Sequence, residues 1–121
     1  MMDFQNAPVV AQRDDDGGYT LKFDGPIHTN TSWLEREFQK VLENKPLQLR
    51  LDLTRTEYIS STGLGVLVWL HNQAKTYGGV VHVVAVQKKT LAMMKVAFLD
   101  RLFKVSPDAV ATAEAGKPAG K

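Results

Sequence analysis

An α/β fold is predicted by two strand-like segments and the helical pattern between them. Leu47-Gln48-Leu49-Arg50-Leu51-Asp52-Leu53 alternates strictly, as a half-covered strand does, and Val80-Val81-His82-Val83-Val84-Ala85-Val86 is β-branched and almost wholly apolar. The run from Thr62 to Tyr77 separates them with a helical period. Strand, helix and strand in that order make a parallel pair joined by a right-handed crossover. At 121 residues the chain is expected to be one domain. A domain of this size hides about two thirds of its unfolded surface.

The other elements follow in chain order. Val9 to Arg13 and Tyr19 to Asp24 read as a hairpin, since Asp14-Asp15-Asp16-Gly17-Gly18 supplies turn chemistry and Tyr19, Leu21 and Phe23 alternate with polar residues. Asn30, Thr31 and Ser32 then offer helix caps, and Ser32 with Glu35 has capping-box spacing. Leu34, Phe38, Val41 and Leu42 share one helical face before Pro46 stops the run. In the alternating strand, four leucines are expected on the covered face, with Gln48, Arg50 and Asp52 on a wet one. The second helix places Leu64, Leu67, Leu70, His71 and Ala74 in one stripe and ends at Gly78-Gly79. The valine strand is apolar on both faces, in mild conflict with a sheet that is wet on one side. A third helix from about Lys89 to Val96 carries Leu91, Met94 and Val96, followed by the apolar segment Phe98-Leu99-Asp100-Arg101-Leu102-Phe103. The domain is expected to span residues 1–105, and 106–121 to be a small, polar, frayed tail.

Composition narrows the chemistry. With no cysteine, disulfides, thiolate nucleophiles and cysteine-ligated metals are excluded; His28 and His71 lack partners at metal spacing, and His82 in the valine strand reads as a core or sheet-face histidine. The Asp14–Asp16 run has no downstream glutamate at calcium-loop spacing and reads as a solvated turn. Gly63 and Gly65 lack the lysine of a phosphate loop and the third glycine of a dinucleotide site, so close backbone packing is the reading. No Gly-x-Ser-x-Gly elbow marks a hydrolase. No cofactor and no metal are expected. A net charge of +2, without a basic block, argues against nucleic acid. The absence of a basic leader and of an apolar run near ~20 residues predicts a cytoplasmic protein with no membrane partner.

The chemistry-bearing motif is Tyr58-Ile59-Ser60-Ser61-Thr62-Gly63-Leu64-Gly65-Val66-Leu67, which sets three hydroxyls at a strand-to-helix junction. A hydroxyl there is either a cap or a switch. The first amides of a helix lack intrahelical partners and the dipole is positive, so a serine oxygen caps it and a phosphate sits in a favourable field. Trp69 falls about 140° from Leu64 on the helical wheel, among Gly65, Asn72, Gln73 and Thr76. It is expected to project from the polar face as an anchor of a docking surface edged by Ser61 and Val66.

This motif, Tyr77-Gly78-Gly79 before the valine strand, and Leu99-Asp100-Arg101-Leu102-Phe103 after the third helix together resemble the STAS domain family over about Tyr19 to Val105. The likeness is greatest to stand-alone bacterial anti-sigma factor antagonists. It implies a mixed sheet of roughly four or five strands with helices mainly on one face. It also implies a binding protein rather than an enzyme, whose partner is an anti-sigma factor and serine kinase of the histidine-kinase ATPase fold. In such a cycle the kinase phosphorylates the antagonist, which lets go, and a metal-dependent serine phosphatase resets it. Carried onto this chain, the phosphorylated residue is Ser61, with Ser60 and Thr62 as alternatives, and Ser60, Ser61, Thr62, Gly63 and His28 join Val66 and Trp69 in the partner surface. Two positions depart from the family pattern: Ser60 stands where an Asp is usual, and Gly25-Pro26-Ile27-His28 stands for Gly-x-Leu-Asp. The alternative is a STAS scaffold that is never phosphorylated, serving a stressosome-like or lipid-transport ATPase complex.

Overall fold

The computed structural model describes residues 9–27 and 32–116. In chain order these form β1 (Val9–Arg13), β2 (Tyr19–Asp24), α1 (Ser32–Leu42), β3 (Gln48–Arg55), α2 (Ser61–Lys75), β4 (Val80–Val86), α3 (Lys88–Val96), a 3-10 turn (Leu99–Arg101), β5 (Lys104–Val105) and α4 (Ala109–Gly116). The strands make one sheet of order β1-β2-β3-β4-β5. β1 and β2 pair antiparallel across the aspartate-glycine turn, and the other three pairings are parallel. The predicted α/β class and mixed sheet are therefore present. The proposed caps Asn30 and Thr31 lie outside the described residues, and Ser32 is the first residue of α1.

The alternation in β2, β3 and β4 sends Leu21, Phe23, Leu49, Leu51, Leu53, Val81 and Val83 to one face, where all are buried. Leu34, Phe38 and Val41 of α1, Leu67, Leu70 and Ala74 of α2, and Met94 of α3 complete this core. Phe23 and Phe38 meet edge to face with centroids 6.2 Å apart, the geometry that ring quadrupoles favour. At the end of α2, Gly78 takes φ +88 and Gly79 N–H donates to Ala74 O at 2.8 Å, which closes the helix as the Gly-Gly pair predicts.

Four details differ from the sequence expectations. Three leucines rather than four face the core, because β3 starts at Gln48 and leaves Leu47 58% exposed before the ladder. Of the apolar residues read in the third helix, Val96 is 81% exposed at the last position of α3, whose buried face consists of Thr90 and Met94, one turn apart. In α2 the buried stripe is Gly63, Val66, Leu67, Leu70 and Ala74. It lies roughly 40° from the predicted centre, leaving Leu64 and His71 half-buried at its margin. There His71 meets the buried Phe103 edge-on, with centroids 5.9 Å apart.

The largest difference is at the C-terminus. Within the segment expected to fray, Ala109–Gly116 forms α4, which packs on β4 and β3 and buries Ala109 and Ala113, while 117–121 lie outside the described residues. Gly116 lies against Thr54, which alternation puts on the face opposite Leu53. A register shift after Leu51 pairs Asp52 with Ala85, so Ala85 joins this second face and is buried there. The apolar character of β4 on both sides is thereby explained: its far end is covered twice.

Candidate functional site

The Ser60–Thr62 junction is built by bracing the loop after β3 from two sides. On one side Ile27 N–H donates to Tyr58 O at 2.9 Å, and Ser60 N–H donates to Ile27 O at 2.8 Å. Ile27 and Ile59 form a parallel bridge, and both side chains are buried. Thr56 Oγ1 also donates to Gly25 O at 3.1 Å. On the other side, the start of α3 reaches across. Gln87 Nε2 donates to Thr54 O at 2.9 Å and Thr90 Oγ1 donates to Thr56 O at 2.8 Å. Thr56, Gln87 and Thr90 are buried polar residues whose side chains all bond to backbone carbonyls, Thr56 to Gly25 after β2 and the other two to β3 and its loop, which satisfies groups that are costly to leave unpaired.

On this platform the three hydroxyls divide their tasks. Ser60 is the N-cap, with extended backbone at φ −70 and ψ 166, and its Oγ accepts from Gly63 N–H at 3.0 Å. It is 6% exposed, and its carbonyl accepts the first helical bond from Leu64 N–H at 2.8 Å. Ser61 and Thr62 are the first two residues of α2 and both are exposed. Among the described residues, none holds the Ser61 hydroxyl by a hydrogen bond. The first turn of α2 contains no acidic residue, so its positive end is unopposed locally.

Gly63 is fixed by space rather than by backbone conformation. A Cβ there would lie 2.6 Å from Ile27 Cγ2 and 3.0 Å from Ile59 Cγ2, so the helix start approaches the bracing segment as only glycine allows. The close-packing reading of this glycine therefore holds, whereas Gly65 is exposed with open space around it. Val66, expected at the edge of a docking surface, is 6% exposed and belongs to the core. Trp69 is half-buried against the same core rather than projecting from it. Both corrections follow from the rotation of α2, which turns Val66 inward and brings Trp69 toward the margin of the packed stripe. His28 lies outside the described residues.

The charges around the junction are loosely held. Arg55 Nε lies 3.1 Å from Asp24 Oδ1, and Lys89 Nζ lies 3.4 Å from Glu57 Oε1, all four groups being more than half exposed. Among the described residues, no group of three or more histidine and acidic side chains is arranged to hold a metal ion. No helix there is long and apolar enough to cross a membrane. Sequence reasoning found the hydroxyls but missed Thr56, Gln87 and Thr90. For Thr56 and Gln87 the signal was a polar residue directly after a strand, which turns also produce; Thr90, inside α3, gave none.

The STAS domain model matches residues 7–112, which include every element of the sheet and the start of α2. The chain belongs to the STAS domain family. No curated protein matches this STAS domain. Among solved structures it is similar to an anti-sigma factor antagonist from Mycobacterium paratuberculosis, with 26% identity and a TM-score of 0.71, covering 88% of this chain and 92% of that one. The Bacillus cell fate determinant SpoIIAA in its phosphorylated form shares the fold at 8% identity and a TM-score of 0.64, covering 88% of this chain and 98% of that one. The anti-sigma factor antagonist SpoIIAA in its unphosphorylated form does so at 9% and 0.66, with 88% and 95% covered.

Proposed function

We propose that this STAS domain is an anti-sigma factor antagonist that binds an anti-sigma factor serine kinase and is switched off by phosphorylation at Ser61. The observation that carries the reading is the division of labour at the junction: Ser60 is committed to the cap, and Ser61 beside it is exposed and unbonded. Kinase attack needs a hydroxyl that can leave the surface without unfolding it, and Ser61 meets that condition where Ser60 does not. Transfer forms an Oγ–P bond, breaks the γ-phosphoryl bond to ADP and releases the hydroxyl proton. The product adds about −1.5 to −2 charge at a helix N-terminus, which accommodates it, while a docked apolar or acidic surface does not.

The docking face comprises Ser61, Thr62 and the open side of Trp69, and His28 is proposed to join it. Its output is binding, and a serine phosphatase resets it. Phosphopeptide mapping after incubation with a candidate ATPase-fold kinase and ATP tests the assignment. Label on the Ser61 peptide, lost in Ser61→Ala, is expected; label at Ser60 or Thr62 alone overturns it. Ser60 in place of the family's Asp favours a second reading, a STAS scaffold that binds without being phosphorylated. Tight binding to the kinase with no label anywhere selects that reading.

A further inference from the structure

The first two residues of α3, Lys88 and Lys89, stand where helix energetics disfavour cations, at the positive end of the dipole. The helix has no acidic residue in its first turn, and its N-cap residue Gln87 makes no side-chain cap bond. Gln87 and Thr90 instead tie the start of α3 to β3 and to the loop that leads into Ser61. Lys89 Nζ already reaches the loop at Glu57, 3.4 Å from its Oε1 and four residues before Ser61 in sequence. That pair joins groups 64% and 70% exposed, so it is weak and easily exchanged. Lys88 is exposed and has no hydrogen bond or ion pair among the described residues.

We infer that, once Ser61 is phosphorylated, Lys88 and Lys89 hold the phosphoryl group against the protein's own surface. The inference rests on the phosphorylation reading above. A phosphoryl group carries about −1.5 to −2 charge against the single charge of the Glu57 carboxylate, so Lys89 exchanges one for the other. No acidic residue in the first turn of α2 opposes the exchange. The other charges described on this rim, Arg55 and Asp24, neutralise each other. Phosphorylation then alters the rim twice: it adds an anion and withdraws two cations from any docked partner.

Phosphorus NMR titration of the chain carrying phosphoserine at position 61, introduced during translation, reads the clamp directly. The second phosphate ionisation, near 6 in free phosphoserine, is expected ~0.5 unit lower in the otherwise unaltered chain than in the Lys88→Gln/Lys89→Gln double variant. A Lys88→Arg/Lys89→Arg pair keeps the lowered value, and Glu57→Gln lowers it further by freeing Lys89. The difference shrinks at 1 M salt, where the screening length is ~3 Å. Equal ionisation in the unaltered chain and the Gln double variant, both folded by circular dichroism, overturns the clamp. Because translation places the phosphate, that failure is separate from a failure of kinase mapping at Ser61, which would defeat the functional reading alone.

Discussion

The two ends of the sheet treat charge differently. At the hairpin end, Arg50 of β3 is 27% exposed and donates to Asp14 Oδ2 at 2.7 Å and to Asp16. Those carboxylates are themselves positioned, Asp14 by Thr20 Oγ1 at 2.8 Å and Asp16 by Gly18 N–H at 2.9 Å. The Arg50 guanidinium holds the Asp16 carboxyl below its usual 3.8, helped by the Gly18 amide, and Arg50 is raised in turn. His82 nearby is pushed below 6.5 by burial, then by Arg50 and Lys104, and its ring pairs with the Gln48 amide oxygen. At the Ser61 end the ion pairs are solvated and a hydroxyl is left unbonded. One end commits its charged groups to architecture; the other keeps its charged groups exchangeable, as the proposed phosphorylation of Ser61 requires.

The contrast breaks most sharply at Gly63. Gly63→Ala is expected to destabilise the protein by ~1–3 kcal/mol in urea denaturation, the usual range for overpacking, because the new Cβ meets Ile27. An unchanged midpoint would mean that the bracing segment yields freely. Ser60→Ala removes the cap and is expected to cost ~1 kcal/mol by the same measurement. Arg50→Gln tests the hairpin end through its acid response. Asp16 titrates lower in the folded chain than unfolded, so its stabilisation is present above about 3.8 and is lost as pH falls through the depressed native value. Thermal unfolding from pH 5 to pH 2 is expected to show a shallower decline in Arg50→Gln than in the parent. Ser61→Ala is the smallest change, within ~0.5 kcal/mol, as befits an exposed hydroxyl without a partner. A larger loss for Ser61→Ala than for Ser60→Ala would assign the cap to the wrong serine.

The strands and first three helices were readable because burial there is one-sided and periodic. β1, β2 and β4 begin and end where the pattern says, since turn residues bound them. α4 was hidden because its inward positions are alanines, Ala109 and Ala113, which give small residues rather than an apolar stripe. Trp69 and Val66 were misplaced for a related reason: a wheel centred on the leucines ignores that the small Gly63 belongs to the buried face, packed tightly against Ile27 and Ile59. At the junction, sequence showed three equivalent hydroxyls. Only the starting point of α2 makes the first a structural bond and the second a free group.

Strand order in the sheet equals strand order in the chain. Every pairing is therefore between consecutive strands, and each new strand docks on an edge already formed. Synthesis from the N-terminus can lay the sheet down progressively, without waiting for a distant partner. The brace from Gln87 and Thr90 is an exception, arriving after Ser61 has emerged. A nascent chain halted before α3 would thus carry Ser61 on a half-supported loop, and the junction gains its second brace only when translation has passed that helix.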